Sequence, residues 1–257
     1  EQDLFADSLF LKNAHLYVFK DKHIPEDTLR RPPGFRKALM SIVPTVSIRH
    51  GRLENLDVVY EQNSEKYEKT GDIAFYNING NITNISNDTA RINKGEYMRA
   101  RLGAKLQNEA DMRVSFRFPL DTSENYVFVG LTDTFDLRII NDFIENTVLL
   151  SVERGKTNKM SFHVSVYDDY AQGRMHFFYN NLKVSVLDTS ASRRGFTSAI
   201  ANVILPGDNP GNRFSKIREG TIYAKAIPYK NEFHLWSQAV LSGALSSINF
   251  ESDEVKE

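Results

Sequence analysis

The chain lacks cysteine, long apolar runs and an excess of basic charge, and each absence excludes a class of site. Without thiols there are no disulfide bonds, thiolate metal sites or cysteine nucleophiles. The longest apolar runs are short, such as Val148-Leu149-Leu150, whereas a helix that spans a bilayer needs about 20 apolar residues. Because 32 basic residues face 33 acidic ones, we predict that nucleic acid is not a partner.

Motifs that carry catalysis or bind metals are also absent from the sequence. None of the six histidines forms a His-x-His or His-Glu-x-x-His pattern, so the ligand spacing of a zinc hydrolase is missing. There is no Gly-x-Ser-x-Gly elbow and no glycine-rich phosphate loop. The neighbouring carboxylates Asp168 and Asp169 precede Gly173 at a predicted turn, where aspartate is favoured for turn geometry. We therefore predict no enzymatic activity, no catalytic residue, no metal and no cofactor.

Alternation of apolar and polar residues dominates the chain. Every second residue is apolar from Met98 to Leu106 and again from Met112 to Phe118. A period of two places one set of residues on each face of a sheet. The predicted strands cover residues 7–20, 45–60, 71–85, 98–106, 112–118, 124–135, 147–154, 159–168, 173–187 and 214–227. The fold is thus predicted to be all-β: a long curved antiparallel sheet, as a half-pipe or an open sandwich, with a few short helices.

Residues 1–257 are predicted to form a single β-rich domain with an internal duplication. Strand patterns resume after the proline-rich loop at residues 20–44, so that loop does not mark a domain boundary. Residues 45–90 and 147–190 read alike, because each has a glycine turn, a strand, a second glycine and an aromatic strand. The alternative is that any two antiparallel meanders share these features.

The clearest predicted helix is the C-terminal one, residues 231–248. Its apolar stripe includes Phe233, Trp236, Val240, Leu241 and Ile248. This stripe could lie on a membrane surface, close one end of an apolar groove, or simply plug the open end of the sheet. Shorter helices are predicted at residues 135–145 and 195–204.

Several segments resemble the C-terminal region of the AsmA-like proteins of Gram-negative envelopes, in the form common in Bacteroidetes. The resemblance runs from about residue 8 to 250, and the order and spacing of the segments carry it. They are Gly71–Phe75, Ile82–Asn87, Val152–Gly155, Gly173–Tyr179, Asn181–Val184, Ala201–Ile204 before Asn209-Pro210, and the terminal helix with Trp236 and Gly243.

This resemblance implies a curved sheet with an apolar concave face and a role in outer-membrane lipid homeostasis or phospholipid transfer. It implies a periplasmic location and an inner-membrane anchor, an N-terminal helix absent from this chain. The expected partners are phospholipid acyl chains, the membrane surface or other envelope proteins. We expect acyl chains to contact the apolar sheet residues Phe75, Met98, Leu102, Phe116, Phe118 and Phe177.

Two other functions remain open at the level of the sequence. A structural or adhesive sandwich would have its apolar face fully covered and would bind partners through its edges or loops. A carbohydrate-binding sandwich would need exposed aromatic residues such as Tyr167, Tyr170 or Tyr229 to form a flat platform. A basic row on the opposite sheet face is interpreted either as a contact for anionic head groups or as an ordinary solvated surface; it comprises Arg99, Arg101, Lys105, Arg113 and Arg117.

Overall fold

The computed structural model describes residues 3–63, 70–88, 96–120, 125–187, 199–202 and 205–250. The all-β prediction is confirmed, because strands make up 57% of the structure and helices 16%. The strands are β1 (Leu4–Lys12), β2 (His15–Lys20), β3 (Val46–Asn63), β4 (Thr70–Ser86), β5 (Tyr97–Leu106), β6 (Ala110–Pro119), β7 (Tyr126–Thr132), β8 (Phe135–Asp136), β9 (Leu150–Val166), β10 (Tyr170–Leu187), β11 (Ala199–Asn202) and β12 (Glu219–Lys225).

All of these strands belong to one sheet, which does not close on itself. Its central order is β1-β3-β4-β5-β6-β7-β9-β10-β11. Three strands lie off this path: β2 pairs with β3, β8 pairs with β9, and β12 pairs with β10. The antiparallel prediction is wrong at one edge, where β1 and β2 both run parallel to β3. The long connection from β2 to β3, residues 21–45, gives the chain room to return in the same direction.

The sheet is kinked by asparagines in the left-handed backbone region. Asn13, Asn55 and Asn77 have φ of 54°, 53° and 49°, and they lie at neighbouring positions of the β1/β2 edge, β3 and β4. The strand registers shift beside Asn55 and Asn77, which marks bulges. Asparagine tolerates this conformation better than most residues, and bulges increase the local bend and twist of strands. The kinks therefore help to curve the β3–β4 pair.

The helices are α1 (Phe35–Met40), a 3-10 helix (Leu137–Ile140), α2 (Asn141–Val148) and α3 (Glu232–Ser247). The predicted C-terminal helix is present as α3, and the Asn231 side chain caps it by accepting from the His234 amide at 3.1 Å. The helix predicted at residues 135–145 is formed by the 3-10 helix and α2, after two residues of strand. The helix predicted at residues 195–204 is wrong at Ala199–Asn202, which is strand β11; the rest of it lies outside the described residues.

Helix α3 packs closely onto β12 and β10 at glycine contacts. A Cβ atom at Gly220 of β12 would lie 2.2 Å from the Gly243 carbonyl oxygen of α3. Gly243 in turn lies against Ile222 and Met175 of the sheet. These contacts let the helix backbone rest directly on the sheet, with its apolar stripe over the concave face.

Helix α2 closes one end of the curved sheet. It follows β8 and the 3-10 helix, at the point where β8 pairs with β9, and it reaches the far strands β3 and β4. A Cβ atom at Gly71 of β4 would lie 1.9 Å from the Asp142 carbonyl oxygen of α2. The Gln62 amide of β3 donates to the Thr147 hydroxyl of α2 at 3.1 Å. β5, β6 and β7 are shorter than their neighbours, so α2 occupies the space beyond them.

The two stretches of the predicted duplication occupy equivalent settings. Residues 45–90 include the long antiparallel pair β3–β4, and residues 147–190 include the long pair β9–β10. Left-handed asparagines interrupt both pairs, at Asn77 in β4 and at Asn181 in β10. The duplication itself stays a prediction.

Candidate functional site

An apolar cavity of about 410 Å³ lies between the concave face of the sheet and the helices. Apart from Thr132 and Ser237, every residue that lines it is apolar. The lining residues are Val58, Ile73, Phe75, Ile78, Leu102, Ala104, Leu106, Met112, Val114, Phe116, Phe128, Thr132, Phe135, Leu137, Ile140, Phe143, Ile144, Val148, Leu150, Val152, Met160, Phe162, Phe177, Leu182, Val184, Phe233, Trp236, Ser237, Val240, Leu241, Ala244, Leu245 and Ile248.

The two sides of the cavity differ in their access to solvent. The open wall consists of the partly exposed lining residues of β3, β4 and β5: Val58, Ile73, Phe75, Ile78, Leu102 and Ala104; Leu106 of β5 also lines the cavity and is buried. The closed wall consists of the buried lining residues of β9 and β10: Leu150, Val152, Phe162, Phe177, Leu182 and Val184; Met160 of β9 also lines the cavity and is partly exposed. The cavity thus opens along the open wall and ends against the closed wall and α2.

Helix α3 forms the roof of this cavity and holds the chain's one tryptophan. The Trp236 ring lies 5.0 Å from the Phe116 ring and 6.0 Å from the Phe128 ring, measured between centroids. Its indole N–H donates to the Tyr126 hydroxyl at 2.5 Å. At the start of α3, the Phe233 ring lies 5.1 Å from the Tyr60 ring of β3. The helix therefore spans the concave face from β10 and β12 to β3.

All five helix residues predicted from the apolar stripe line the cavity, and so do four of the six predicted sheet residues. The four sheet residues are Phe75, Leu102, Phe116 and Phe177. The structure places Met98 and Phe118 in the buried core beside the cavity instead, with 2% and 4% of their surface exposed. The Phe118 ring is covered by the rings of Tyr126 at 4.7 Å and Phe35 at 5.7 Å. Helix α1, which carries Phe35, was not predicted as a cover.

Sequence reasoning missed most of the closed wall and all of the contribution from α2. The α2 residues are Phe143, Ile144 and Val148. A signal existed for the closed wall, because Leu150 and Val152 alternate and so do Phe162, Val164 and Val166. Alternation assigns these residues to one face of a strand, but it does not tell which parts of that face stay uncovered.

A group of charged side chains lies beside the cavity at the start of α3. The Glu26 carboxylate pairs with the ammonium group of Lys20 at 3.0 Å and also with that of Lys230. Burial tends to raise the pKa of Glu26, but hydrogen bonds from Lys230 and Lys20 outweigh it and leave the pKa lowered. Burial and the same carboxylate raise the pKa of the Tyr60 phenol. The group thus adjoins Tyr60, which is in ring contact with Phe233 of the cavity.

His234 follows Phe233 in α3 and is held in its neutral form. Burial is the main cause that lowers its pKa to about 4, and the positive charges of Lys230, Lys22 and Lys20 act in the same direction, while Glu26 opposes them. Three cations and one anion therefore act on this position.

The predicted basic row lies on the outer sheet face, away from the cavity. Arg99 and Arg117 are opposite one another on β5 and β6, and the Arg117 guanidinium lies 3.7 Å from the centroid of the Tyr97 ring. Lys105 pairs with Asp111 at 2.9 Å and Arg113 with Asp133 at 3.6 Å. The row is thus partly neutralised by its own acids, which is typical of a solvated sheet face.

Other sequence candidates do not converge on a site. The rings of Tyr167 and Tyr170 stack on each other at 4.7 Å, and the Tyr223 ring stacks on Tyr170 at 6.0 Å. His163 pairs in register with Arg174, while the His176 ring contacts Glu219 at 3.1 Å. Among the residues that the structure describes, no group of three or more His, Asp or Glu side chains could hold a metal ion.

Comparison of the chain with protein-family models, with curated proteins and with solved structures finds no match in any of the three. Within the described part of the chain, no helix combines the length and the apolar character that crossing a membrane requires. The cavity is therefore the main structural feature that bears on function.

Proposed function

We propose that this chain is a non-enzymatic lipid-binding domain of a bacterial envelope protein, which shields acyl chains from water in its cavity. The main observation behind this proposal is the apolar lining of the cavity. Its volume is about 410 Å³, and only Thr132 and Ser237 among its lining residues are polar. An engineered apolar cavity of about 150 Å³ already binds benzene. Each methylene that moves from water into such a site contributes about 0.8 kcal/mol, so a long chain gains more than a small ring.

The lining is suited to binding and not to chemistry. Catalysis requires polar groups that converge on reacting atoms, and the two hydroxyl groups of the lining, Thr132 and Ser237, supply neither a general base nor a charged group. An acyl chain can enter from solvent along the open wall, and the closed wall and α2 limit how far it can reach. This arrangement supports a holder or a carrier of acyl chains.

The resemblance to AsmA-like proteins adds the cellular setting to the proposal. In that setting the domain works in the periplasm, attached to the inner membrane through an upstream helix, and takes part in outer-membrane lipid homeostasis or phospholipid transfer. The curved sheet with an apolar concave face supports this part of the proposal.

The test is native mass spectrometry of the purified chain, followed by solvent extraction and lipid analysis. We expect a bound lipid in the unmodified chain and its loss in Ala104→Phe, because the added ring fills the cavity from the open wall. Val129→Phe is the matched control, since Val129 is 39% exposed and does not line the cavity. A chain that stays lipid-free after incubation with phospholipid vesicles and also with palmitate and lysophosphatidic acid would contradict lipid binding by this domain.

A second candidate function is an interaction module that pairs with a partner through its sheet edge. The observation that favours it is the unusual exposure of β1, where Leu4, Phe5, Leu9 and Phe10 are 51%, 65%, 49% and 59% exposed. An edge strand with exposed apolar side chains is a template for a further strand. An apo chain that captures a β-strand partner, and never lipid, would favour this alternative.

A further inference from the structure

We propose that the cavity holds one acyl chain of about 16 carbons, whose anionic head group is held outside it by the ammonium groups of Lys20 and Lys230. This inference rests on the proposed function and specifies the class of lipid. The head group is a carboxylate or a phosphate, as in a fatty acid or a lysophospholipid.

The size of the cavity sets the number of chains. A cavity of about 150 Å³ takes the six carbons of benzene, which corresponds to roughly 25 Å³ per carbon atom. At that density the cavity of about 410 Å³ has room for roughly 16 carbons. One chain of common length therefore fills it, and the second chain of a diacyl lipid finds no room.

The polarity of the lining keeps the head group outside. A charge buried without partners is strongly disfavoured, and no charged side chain lines the cavity. The acyl chain must enter with its methyl end toward the closed wall. The head group of the lipid then stays near the partly exposed residues of the open wall and α3.

The Lys20 and Lys230 group lies where that head group would emerge. Phe233 lines the cavity and contacts Tyr60, and Tyr60 is close enough to Glu26 for the carboxylate to raise its pKa. The two ammonium groups share the carboxylate of Glu26. An anionic head group would compete with that carboxylate for them.

Two other acids nearby, Glu232 and Asp21, accept hydrogen bonds from groups other than these two lysines. Glu232 accepts from the Phe35 amide of α1 at 2.6 Å. Asp21 accepts from the Asn63 side chain at 2.6 Å and from the His23 amide at 2.9 Å. Neither is paired with Lys20 or Lys230, so Glu26 is the acid that an anionic head group has to compete with.

The experiment uses the fluorescence of Trp236, the chain's one tryptophan, quenched by brominated acyl chains. For saturated fatty acids of 8 to 22 carbons that compete with the quencher, we expect affinity to rise roughly fourfold per methylene and to level off near 16 carbons. Palmitate and lysophosphatidic acid should bind one per chain, and dipalmitoyl phosphatidylglycerol more weakly. Affinity that keeps rising to 22 carbons, or that favours the diacyl lipid, overturns the single-chain assignment.

Charge variants test the head-group site. Glu26→Gln removes the competing carboxylate and should tighten palmitate binding roughly fivefold, while Lys20→Gln with Lys230→Gln should weaken it by a similar factor. The uncharged monopalmitoyl glycerol should bind all variants alike. Lys105→Gln, which removes a paired lysine from the outer face, is the control and should change nothing.

The outcomes separate this inference from the function on which it rests. If no amphiphile of any length quenches or competes, acyl-chain binding itself fails. If palmitate and monopalmitoyl glycerol bind equally to the unmodified chain and Glu26→Gln changes neither, the cavity binds chains but Lys20 and Lys230 do not select the head group. Thermal melting of each variant confirms that it is folded before binding is compared.

Discussion

The closed wall and the open wall of the cavity are built from the same kinds of residue, yet only one of them is buried. Both are long antiparallel strand pairs with alternating apolar side chains, β9–β10 on one side and β3–β4, with β5 beside it, on the other. β10, together with its partner β12, has α3 resting directly on it, whereas at the Phe233 end of α3 the contact with β3 includes the Tyr60 ring. The difference teaches that helix cover, and not strand composition, separates buried core from partly exposed cavity wall here.

The helix cover can be broken at Gly220, and this should have the largest effect on stability. Gly220→Val would place side-chain atoms against the Gly243 carbonyl of α3, where even a Cβ atom would lie 2.2 Å away. We expect the free energy of unfolding to fall by at least about 3 kcal/mol, measured by urea denaturation. Gly103→Val on β5 is the control, since its Cβ would meet only the Met112 carbonyl oxygen at 3.9 Å. Equal losses in both variants would contradict the role given to α3.

Two asparagines provide a second comparison: Asn209, which is buried beside β10, and Asn79, which is exposed in β4. Asn209, which is 1% exposed, donates to the carbonyls of Phe177 and Arg218 and accepts from the Arg218 amide. Asn79 of β4 accepts from the Asn55 amide, and its side chain is exposed. Asn209→Ala should lower the free energy of unfolding by about 2.5 kcal/mol because it leaves buried groups unpaired. Asn79→Ala should cost less than about 1 kcal/mol, since water replaces the lost bonds.

The start of α3, which contacts β3 on the side of the open wall, should be sensitive to acid. The folded chain protonates His234 only near pH 4, whereas the unfolded chain does so at the ordinary value of 6.5. The unfolded state therefore binds more protons between these values, so stability falls as the pH is lowered through this window. We expect a loss of about 2 kcal/mol between pH 7 and pH 4 from this group.

Thermal denaturation across that pH range measures the effect. His234→Gln should flatten the pH dependence, because the glutamine cannot take up a proton. His163→Gln replaces an exposed histidine of β9 and should leave the profile as it is. A profile that stays unchanged in His234→Gln would show that other groups set the acid sensitivity.

The smallest effect on stability is expected at the exposed edge beyond the open wall. Phe5→Lys with Phe10→Lys should change the free energy of unfolding by less than about 0.5 kcal/mol per residue, since both rings are more than half exposed. The same change should suppress self-association in sedimentation velocity, because lysines on an edge strand oppose pairing with another strand. Replacing Leu150 and Val152 of the closed wall by lysine should instead unfold the chain.

Part of the cavity could be anticipated from local patterns. Nine of the eleven residues predicted from strand alternation and from the stripe of α3 line the cavity. The two exceptions, Met98 and Phe118, are buried, and the Phe118 ring is covered in part by Phe35, about 80 positions away in sequence. No local pattern in β5 or β6 carries information about a cover that comes from another segment.

The charged group beside the cavity had no signal in the sequence at all. Lys20 and Glu26 belong to the first strand edge and the loop after it, while Lys230 precedes α3 about 200 residues later. Their meeting depends on α3 reaching across the sheet to β3. The parallel pairing of β1 and β2 with β3 was likewise hidden, because alternation reports faces and not strand direction.

The sequence by itself determined the strands, the faces they present and the apolar stripe of the last helix, because these depend on residue spacing within one element. Only the tertiary structure decided which apolar surface is buried and which lines a cavity, and which charges surround its entrance. Those outcomes depend on contacts between segments far apart in the chain: α2 against β3 and β4, α3 against β10 and β12, and the residues after β2 against those before α3.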